Sequence, residues 1–394
     1  MLRCGAGVIA SLLSCAPAAA QWTLIRLHPE GFYRSEVLAV TPTTQLGQAH
    51  DADSRRHASS WRGSPGTWQS WAPLATISGV GGGQQAGSIS VGPGSGHACV
   101  WNGSAQFIVD LHPAGAAGSS ASAVAGGQQV GEIYPPAGGA HAALWLGSAS
   151  SMIDLHPAGM SGSSCYATDG ALQGGYVELS SHALNAAIWG GSAGSFINLH
   201  PAGANHSQVN GMAAGVQVGE ANFGSGNHAI LWRGTAASYV DLHPAGAGVS
   251  GLRATTGSVQ GGWANMVQTG FTAAVWFGTA ESFTPLPSPP GYFAPSATCV
   301  AELNGTIYVG GNAFSPETGT LQAFLWVGQA PGVCYANCDG STAAPALHLS
   351  DFACFLQRYQ AGDLYANCDG STVQPVLNVG DFGCFLRRFA QGCP

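Results

Sequence analysis

The stretch HAALWLGSASSMIDLHPAGMSGSS, residues 141–164, recurs in variant form along most of the chain. Residues 97–113 and 228–244 repeat the same order of histidine, tryptophan and a terminal Asp-Leu-His-Pro. The marker tryptophans of the repeat are Trp61, Trp101, Trp145, Trp189, Trp232, Trp276 and Trp326. Similarity that recurs about every 40–45 residues indicates a repeat architecture in which each unit is one supersecondary structure.

A second signature, AGGQQVGE at residues 125–132, lies between one marker tryptophan and the next. Each period therefore predicts four short strands, with Gly-Ser-Ala and Pro-Ala-Gly at the turns. One strand ends at the tryptophan, one leads into Asp-Leu-His-Pro, one carries the small residues that follow, and one is the GGQQVGE run. Four strands in about 40–45 residues are typical of a propeller blade.

The two ends of the repeat region indicate how the units are arranged. The region begins with a half repeat, Leu27-His28-Pro29, and ends with the complementary half at residues 323–326. Pairing the two halves makes a seventh unit and closes a ring, whereas an open array would expose edge strands and need capping repeats. We therefore predict an all-β, seven-bladed β-propeller-like domain followed by a small α tail. An open β-solenoid is the alternative fold.

The HA-x-LW and GQ-x-VG elements resemble the HAF-type extracellular repeats of bacterial secreted proteins, over roughly residues 22 to 330. The resemblance implies an extracellular protein and no particular reaction. In this sequence the strand that usually ends in Asp-Leu-Gly ends instead in Asp-Leu-His-Pro, for example at residues 154–157.

The composition argues against several classes of function. The net charge is −8, and all eleven basic residues are arginines. Nucleic acids require clustered cations, which the sequence lacks, so no nucleic-acid partner is expected. The absence of lysine from the sequence also argues against Schiff-base chemistry and against a P-loop.

The first twenty residues predict export. One arginine, an apolar stretch and the small residues Ala18-Ala19-Ala20 form a signal peptide with cleavage before Gln21. Lipidation at Cys15 is the alternative. We expect no membrane span elsewhere and an extracellular or cell-surface location, where disulfides are chemically reasonable. The predicted domains are a signal peptide at 1–20, the propeller-like domain at 21–330 and the tail at 331–394.

Histidine and aspartate recur in register within the repeats, as His141 with Asp154 and His228 with Asp241. Such pairs occur in hydrolases, and clustered imidazoles bind metals. An active site is normally a single site, however, so residues that recur from blade to blade are interpreted as hydrogen-bonding groups that connect strands. The tryptophans and the single cysteines Cys99, Cys165 and Cys299 are interpreted as core residues. No catalytic residue is predicted.

The tail contains a duplication with a period of 30 residues. YANCDGSTAAPALHLSDFACFLQRY at residues 335–359 is followed by YANCDGSTVQPVLNVGDFGCFLRRF at residues 365–389. Each copy starts with an oxygen-rich loop and passes through Asp351 or Asp381 into an apolar stretch, predicted as a helix capped by that aspartate.

The loops present oxygen atoms at alternate positions around a glycine, as EF-hand-like loops present them to calcium. Two such loops in tandem resemble a GC-type dockerin domain. The resemblance implies calcium as the cofactor and a cohesin-like or other cell-surface scaffold protein as the partner. The predicted ligands are Asn337, Asp339, Ser341 and Asp351 in the first copy, and Asn367, Asp369, Ser371 and Asp381 in the second.

Two departures from an EF-hand leave an alternative open. From Asn337 to Asp351 is longer than a 12-residue EF-hand loop, and His348 replaces the Asn378 of the second copy. The alternative to a calcium site is a polar, disulfide-linked cap that holds no metal. Six cysteines of the tail allow fifteen connectivities. The duplication favours Cys338–Cys354 and Cys368–Cys384, and leaves Cys334 with Cys393.

The sequence supports two functional hypotheses. The first is a secreted, non-catalytic binding or structural module, anchored by its calcium-dependent tail, whose propeller takes an unknown glycan or protein ligand. The second is a carbohydrate-active propeller enzyme, a lyase or hydrolase, carried by a dockerin. A non-repeated cluster of acidic, basic or histidine side chains in the propeller would favour the second.

Overall fold

The structure is a computed structural model that describes residues 22–92, 95–329, 336–339, 347–369, 371 and 375–391. The predicted signal peptide at 1–20, Cys15, Cys334, Ser341 and Cys393 lie outside the described residues. Within them the chain forms seven four-stranded antiparallel sheets and then two α-helices.

The strands follow the repeats closely. The first strand among the described residues is β1 (Thr23–Arg26), which belongs to the last sheet. Blade 1 consists of β2 (Phe32–Val40), β3 (Gln45–Asp51), β4 (Arg56–Trp61) and β5 (Gln69–Pro73). Blade 2 consists of β6 (Ala75–Gly81), β7 (Gln84–Gly92), β8 (Ser95–Asn102) and β9 (Ile108–Asp110). Blade 3 consists of β10 (Gly118–Ala125), β11 (Gln128–Tyr134), β12 (His141–Trp145) and β13 (Ile153–Asp154).

The remaining blades have the same order. Blade 4 consists of β14 (Gly162–Thr168), β15 (Gln173–Glu178), β16 (Leu184–Trp189) and β17 (Ile197–Asn198). Blade 5 consists of β18 (His206–Ala213), β19 (Val216–Asn222), β20 (Asn227–Trp232) and β21 (Val240–Asp241). Blade 6 consists of β22 (Ala247–Thr255), β23 (Gln260–Met266), β24 (Gly270–Trp276) and β25 (Thr284–Pro285). Blade 7 consists of β26 (Phe293–Leu303), β27 (Thr306–Phe314), β28 (Leu321–Gln329) and β1. The tail forms α1 (Leu349–Gln360) and α2 (Val379–Gln391).

The ring closes by pairing the first strand with the last. β1 lies antiparallel to β28, with Leu24 opposite Trp326. The sheet that needs both ends of the repeat region is therefore complete, and its edge is covered. The predicted seven-bladed propeller and its closure are confirmed, and the alternative of an open solenoid is wrong.

The core lies between neighbouring sheets. All seven marker tryptophans are fully buried, as are the leucines of the Asp-Leu-His-Pro segments in successive blades. The glycine within the GGQQVGE signature also has a structural reason. A Cβ at Gly131 would clash with the carbonyl oxygen of Ser120 on the neighbouring strand, and the same holds for Gly219 beside Gln208. Only glycine permits this close approach of backbones.

The tail contacts the propeller through a buried polar group. The Tyr308 hydroxyl on β27 donates a hydrogen bond to Oδ1 of Asp363 over 2.7 Å. Oδ2 of the same carboxylate lies 3.1 Å from Nη1 of Arg358, and both side chains of this ion pair are 8% exposed. Val376 packs into the hydrophobic cluster that contains Ile25 and Tyr308. The tail therefore lies against the blade that closes the ring.

No helix among the described residues is long and apolar enough to cross a membrane.

Candidate functional site

The Leu-His-Pro histidines of the propeller form hydrogen bonds between blades. His156 lies with Nδ1 2.9 Å from the Ser163 hydroxyl, and that hydroxyl oxygen accepts the backbone N–H of Ala142. Equivalent serines in other blades are Ser35, Ser119, Ser207 and Ser250, each within 2.9 Å of the corresponding histidine. These histidines therefore satisfy buried polar groups at the junction of two blades, as the interpretation from repetition predicts.

The second set of histidines ties strands together at the surface. His141 Nδ1 lies 2.8 Å from Asp154 Oδ2, which connects β12 to β13, and His228 makes the same contact with Asp241. The imidazoles of His141 and His156 stack, with 3.9 Å between ring centroids. Because the arrangement recurs at His97 with Asp110, it belongs to the blade and does not single out one site.

The single cysteines of the propeller are buried in its core. Burial raises the pKa of the Cys165 thiol to about 12 and that of Cys299 to about 12. A thiol with a raised pKa is a poor nucleophile at neutral pH. The core interpretation of these residues therefore agrees with their surroundings.

Two disulfides hold the tail's loops to its helices. Cys338 is bonded to Cys354 on α1, and Cys368 to Cys384 on α2, with Cα–Cα distances of 5.8 and 5.7 Å. Both predicted pairings are confirmed. The third predicted pairing, between Cys334 and Cys393, involves residues outside the described part of the chain. The crosslinks fix each loop against a helix in a module whose core is small.

The last aspartate of each loop is a buried anchor. Asp351 and Asp381 are both fully buried. In the first copy Oδ1 of Asp351 accepts the backbone N–H of Asp339, and Oδ2 accepts that of His348. In the second copy Asp381 accepts the equivalent N–H groups, from Asp369 and Asn378. The carboxylate therefore fixes the two ends of its loop beside each other.

The helix cap differs from the prediction. The N-cap residue of α1 is His348, and Asp351 is the third residue of the helix, where it completes a capping box. An aspartate at this position accepts the N–H of the cap residue. Its negative charge also interacts favourably with the positive end of the helix dipole. The predicted cap position was therefore wrong by three residues, although the aspartate does stabilise the helix start.

The first loop brings together two carboxylates and an imidazole. The ligand atoms of Asp339, His348 and Asp351 all lie within 4.8 Å of one another. His348 Nδ1 is 3.7 Å from Asp339 Oδ2 and 3.5 Å from Asp351 Oδ2. Ser350 adds a hydroxyl that hydrogen-bonds to both Asp339 and His348. One nitrogen donor in this cluster suits calcium less well than an oxygen would, because calcium prefers oxygen ligands.

In the second loop, the candidate ligand groups of the described residues are all oxygens. Gly380 takes the place of Ser350, and a Cβ there would clash with Oδ2 of Asp369 and approach Oδ1 of Asn378 to 2.9 Å. Two side-chain oxygens from different parts of the loop therefore lie beside this glycine, and Oδ1 of Asn378 also accepts the glycine's backbone N–H over 2.7 Å. Burial, together with the nearby Asp369 carboxylate, raises the pKa of Asp381.

Asn367 carries the clearest unsatisfied atom of the second loop. Its side-chain Nδ2 donates to the carbonyl of Ser371, but its Oδ1 is buried and has no hydrogen-bond partner among the described residues. A buried acceptor without a partner costs free energy unless water or an ion satisfies it. The donor set of this loop fits a calcium ion, and Asn367, Asp369, Ser371, Asn378 and Asp381 are the residues that would hold it.

The structure describes the predicted ligands of the two copies to different extents. In the first copy Asn337, Asp339 and Asp351 are described and Ser341 is not. In the second copy all four predicted residues are described, and the structure adds Asn378, whose amide donates to the Ser371 hydroxyl. The sequence did indicate Asn378 as a loop residue, because it is equivalent to His348 in the duplication and both residues directly precede their helix.

No protein-family model matches the chain. No curated protein matches it either. Among solved structures, the β-propeller domain of the Trilobed protease from Pyrococcus furiosus, described as having an open velcro topology, is similar with a TM-score of 0.51 and 8% identity, covering 76% of this chain and 96% of that one. TolB from Acinetobacter baumannii is similar with a TM-score of 0.40 and 11% identity over 55% of this chain and 62% of that chain. A puromycin hydrolase S511A mutant is similar with a TM-score of 0.43 and 14% identity over 76% of this chain and 52% of that chain.

This chain thus spans about three fifths of the TolB chain and half of the puromycin hydrolase chain. Unlike a propeller with an open topology, it closes its ring through the pairing of β1 with β28. Identities this low show the fold alone. On fold and strand pairing together, the chain is a seven-bladed β-propeller with a small two-helix tail.

Proposed function

We propose that the protein is an exported, non-catalytic binding or structural module, anchored by a dockerin-like tail that binds two calcium ions. The observation that carries the proposal is the convergence of oxygens in the second loop, where the buried Asn367 Oδ1 has no partner among the described residues. Calcium takes six to eight oxygens from carboxylates, amides and carbonyls, and the loop supplies these types. When bound, the ion would cross-link the two ends of the loop.

The two loops are expected to differ in affinity. The second loop has Asn378 and Gly380 where the first has His348 and Ser350. An imidazole nitrogen beside the carboxylates replaces an oxygen donor, and the serine hydroxyl occupies a carboxylate that calcium would use. The second loop should therefore bind calcium more tightly, with both dissociation constants near the extracellular range of roughly 10⁻⁵ to 10⁻³ M.

The outer faces of the two helices support a protein partner for the tail. Leu349 and Val379 stand at equivalent first positions of α1 and α2 and are 83% and 84% exposed. Leu356 and Leu386, also equivalent, are partly exposed as well. Large apolar side chains exposed at matching places in both copies are costly in water, and they suit a surface that contacts another protein. A cohesin-like scaffold module is the partner we propose.

The test is isothermal titration of the full chain with calcium. The wild-type protein should show two sites, Asp369→Ala should lose the tighter one, and Asp339→Ala the weaker one. The double variant should bind none, while Glu317→Gln, an exposed acid on the propeller, should retain both. His348→Asn should bring the first site closer to the second. No heat at millimolar calcium in the wild-type protein would contradict the proposal and leave the metal-free cap.

The partner is tested separately, by binding to a purified cohesin-type module with calcium and with EDTA. Calcium-dependent binding that the Leu349→Glu/Val379→Glu variant loses is the expected result. Calcium binding without association with the cohesin-type module would contradict the proposed partner and leave the calcium sites supported.

A further inference from the structure

The innermost strands of the seven blades surround a central channel with a cavity of about 530 Å³. Each of these strands has a register shift against its neighbour at an equivalent position, for example between Cys165 and Ala167 in β14 and between Leu252 and Ala254 in β22. The residue inside each shift is the extra residue of a β-bulge. Bulges redirect a side chain and often lie next to functional sites.

The bulge residues do not follow the repeat. Blades 4, 5 and 6 place Tyr166, Asn210 and Arg253 at this position, whereas blades 1, 2 and 3 place Leu38, Ser78 and Ser122 there. All of them line the cavity and are partly exposed to it. Elsewhere in the blade the same residue recurs because each blade solves the same packing problem. A position that varies around one cavity gives that cavity unlike sides, with the larger polar and aromatic side chains on one side and leucine and two serines on the other.

Arg253 is the one charged residue among the described residues that line the channel. Its side chain is 39% exposed, and its guanidinium makes no hydrogen bond within the described part of the protein. The nearest carboxylate is Glu220, with 4.0 Å between Nη1 and Oε1. That oxygen already accepts a hydrogen bond of 2.8 Å from Gln208. A guanidinium carries five N–H donors in a planar fork. The donors of Arg253 therefore remain available to a ligand.

Glu220 shows that this side of the ring is not internally satisfied. The residue is 7% exposed, and its Oε2 is buried without a hydrogen-bond partner among the described residues. Its equivalent in blade 3, Glu132, is bonded through Oε2 to Ser164 of the next blade, where blade 6 instead has Gly251. The blade 5 carboxylate thus lacks the neighbour that its counterpart has, and it holds Arg253 only loosely.

We propose that the central channel binds a small, hydroxyl-rich monocarboxylate, that is, a sugar acid, with Arg253 contacting the carboxylate. Arginine matches the planar, two-oxygen geometry of a carboxylate. The single cation favours a single negative charge over a phosphate dianion. The other polar groups of the channel include the hydroxyls of Ser78 and Ser122 and Oδ1 of Asn210, whose Nδ2 donates to the carbonyl of Leu252, and these groups suit sugar hydroxyls.

An amino acid fits the channel less well, because its ammonium group would need a carboxylate in the lining. None of the described lining residues is acidic, and Glu220, the carboxylate nearest to Arg253, is only 7% exposed. Tyr166, which also lines the channel, supplies an aromatic ring against which a sugar ring can pack. The inference rests on the proposed binding role of the propeller. It does not depend on calcium in the tail.

The test titrates the full-length protein with sodium glucuronate, with glucose as the neutral match and with acetate as the carboxylate without hydroxyls. All titrations are run in EDTA and repeated in calcium, so that a metal-bound sugar acid at the tail is distinguished from binding in the channel. The wild-type protein should bind glucuronate in EDTA at least about tenfold more tightly than glucose or acetate.

Two variants address the channel directly. Arg253→Gln should weaken glucuronate binding by about tenfold or more, because a charge-assisted, two-point contact is lost. Ser122→Phe should weaken it by filling the cavity without removing the charge. Arg233→Gln, an exposed arginine in the turn after Trp232, should bind as the wild type does. Thermal melting checks that each variant is folded.

Several outcomes would overturn the inference. They are no glucuronate binding at millimolar concentration in EDTA, equal binding of glucose or acetate, binding that appears only with calcium, and unchanged binding in folded Arg253→Gln. Loss of calcium binding alone, with glucuronate binding retained, would contradict the tail's proposed role and leave the channel site supported.

Discussion

The propeller and the tail are both built from repeats, yet they use their repeated polar residues differently. In the propeller, Ser163, His156 and the Ala142 N–H satisfy one another, and the same contacts recur in other blades. In the second loop of the tail, Asp369 and Asn378 bring oxygen next to oxygen, and Asn367 Oδ1 remains without a partner among the described atoms. Repetition therefore does not by itself mark a structural residue. The distinction lies in whether the repeated groups complete each other's hydrogen bonds.

The largest expected effect concerns closure of the ring. Removing residues 22–30 deletes β1, which exposes the edge of β28 and removes the buried side chains of Ile25 and Leu27. Each large-to-small change of such a residue costs about 2–5 kcal/mol. We expect the melting temperature to fall by about 10 °C or more. Differential scanning calorimetry is the measurement.

Point variants supply the matched control for closure. Leu27→Ala and Leu199→Ala remove equivalent, fully buried leucines, one at the closing blade and one inside the ring. They should destabilise the protein equally if the closing blade is as well packed as the others. A near-neutral Leu27→Ala beside a strongly destabilising Leu199→Ala would show that the ring opens between its ends.

The next effect tests whether the two regions unfold together. Asp363→Ala leaves Arg358 buried without its carboxylate and removes the acceptor of the Tyr308 hydroxyl. Breaking a buried pair in this way costs about 3–5 kcal/mol. All eleven tryptophans lie between residues 22 and 326, so tryptophan fluorescence during urea unfolding reports on the propeller alone. The propeller transition should shift to lower urea concentration.

Asp53→Ala is the control, because its pair with Arg55 is mostly solvent-exposed and is expected to contribute at most about 1 kcal/mol. A propeller transition that is unchanged in Asp363→Ala, with a destabilised tail, would mean that the tail is attached without stabilising the ring. In that case the propeller and the tail would unfold as two independent units.

Much of the fold could be predicted because the repeat itself encodes it. The spacing of the tryptophans gave the number of blades, and the two half repeats at residues 27–31 and 323–326 gave the closure. Local patterning is sufficient for six blades, since each of them is a sheet whose strands are neighbours in the chain, and only blade 7 takes one strand from the other end of the repeat region. The two disulfides followed from the duplication for the same reason.

The channel could not be predicted in this way. The bulge residues Tyr166, Asn210 and Arg253 are far apart in the sequence and look like irregularities of the repeat. Only the closed ring brings them to one cavity.

The prediction of the helix cap failed for a different reason. Both His348 and Asp351 contribute to one capping box, and the sequence alone does not say which residue starts the helix.

The smallest effect is a dependence of stability on pH that arises in the propeller's histidines. Burial, with a further contribution from the Arg26 charge, lowers the pKa of His28 from its ordinary value of 6.5 to about 4. Nε2 lies 2.9 Å from the carbonyl of Phe32, and Nδ1 lies 2.8 Å from the Ser35 hydroxyl. The carbonyl can only accept, so we assign the ring hydrogen to Nε2 and the acceptor role to Nδ1.

Because the folded protein resists protonation of His28 and the unfolded chain does not, its stabilising contribution is complete above pH 6.5. It is lost progressively as the pH falls from 6.5 to about 4. Burial also lowers the pKa of His112, His156 and His243, which changes stability in the same direction. Tryptophan-detected melting in EDTA, from pH 8 to pH 5, should therefore show falling stability, and His28→Gln should flatten part of that fall while lowering stability at pH 8. An equal slope in the variant and the wild type would assign the acid sensitivity to other groups, and the Leu-His-Pro histidines would then be hydrogen-bonding groups whose charge state does not affect the ring.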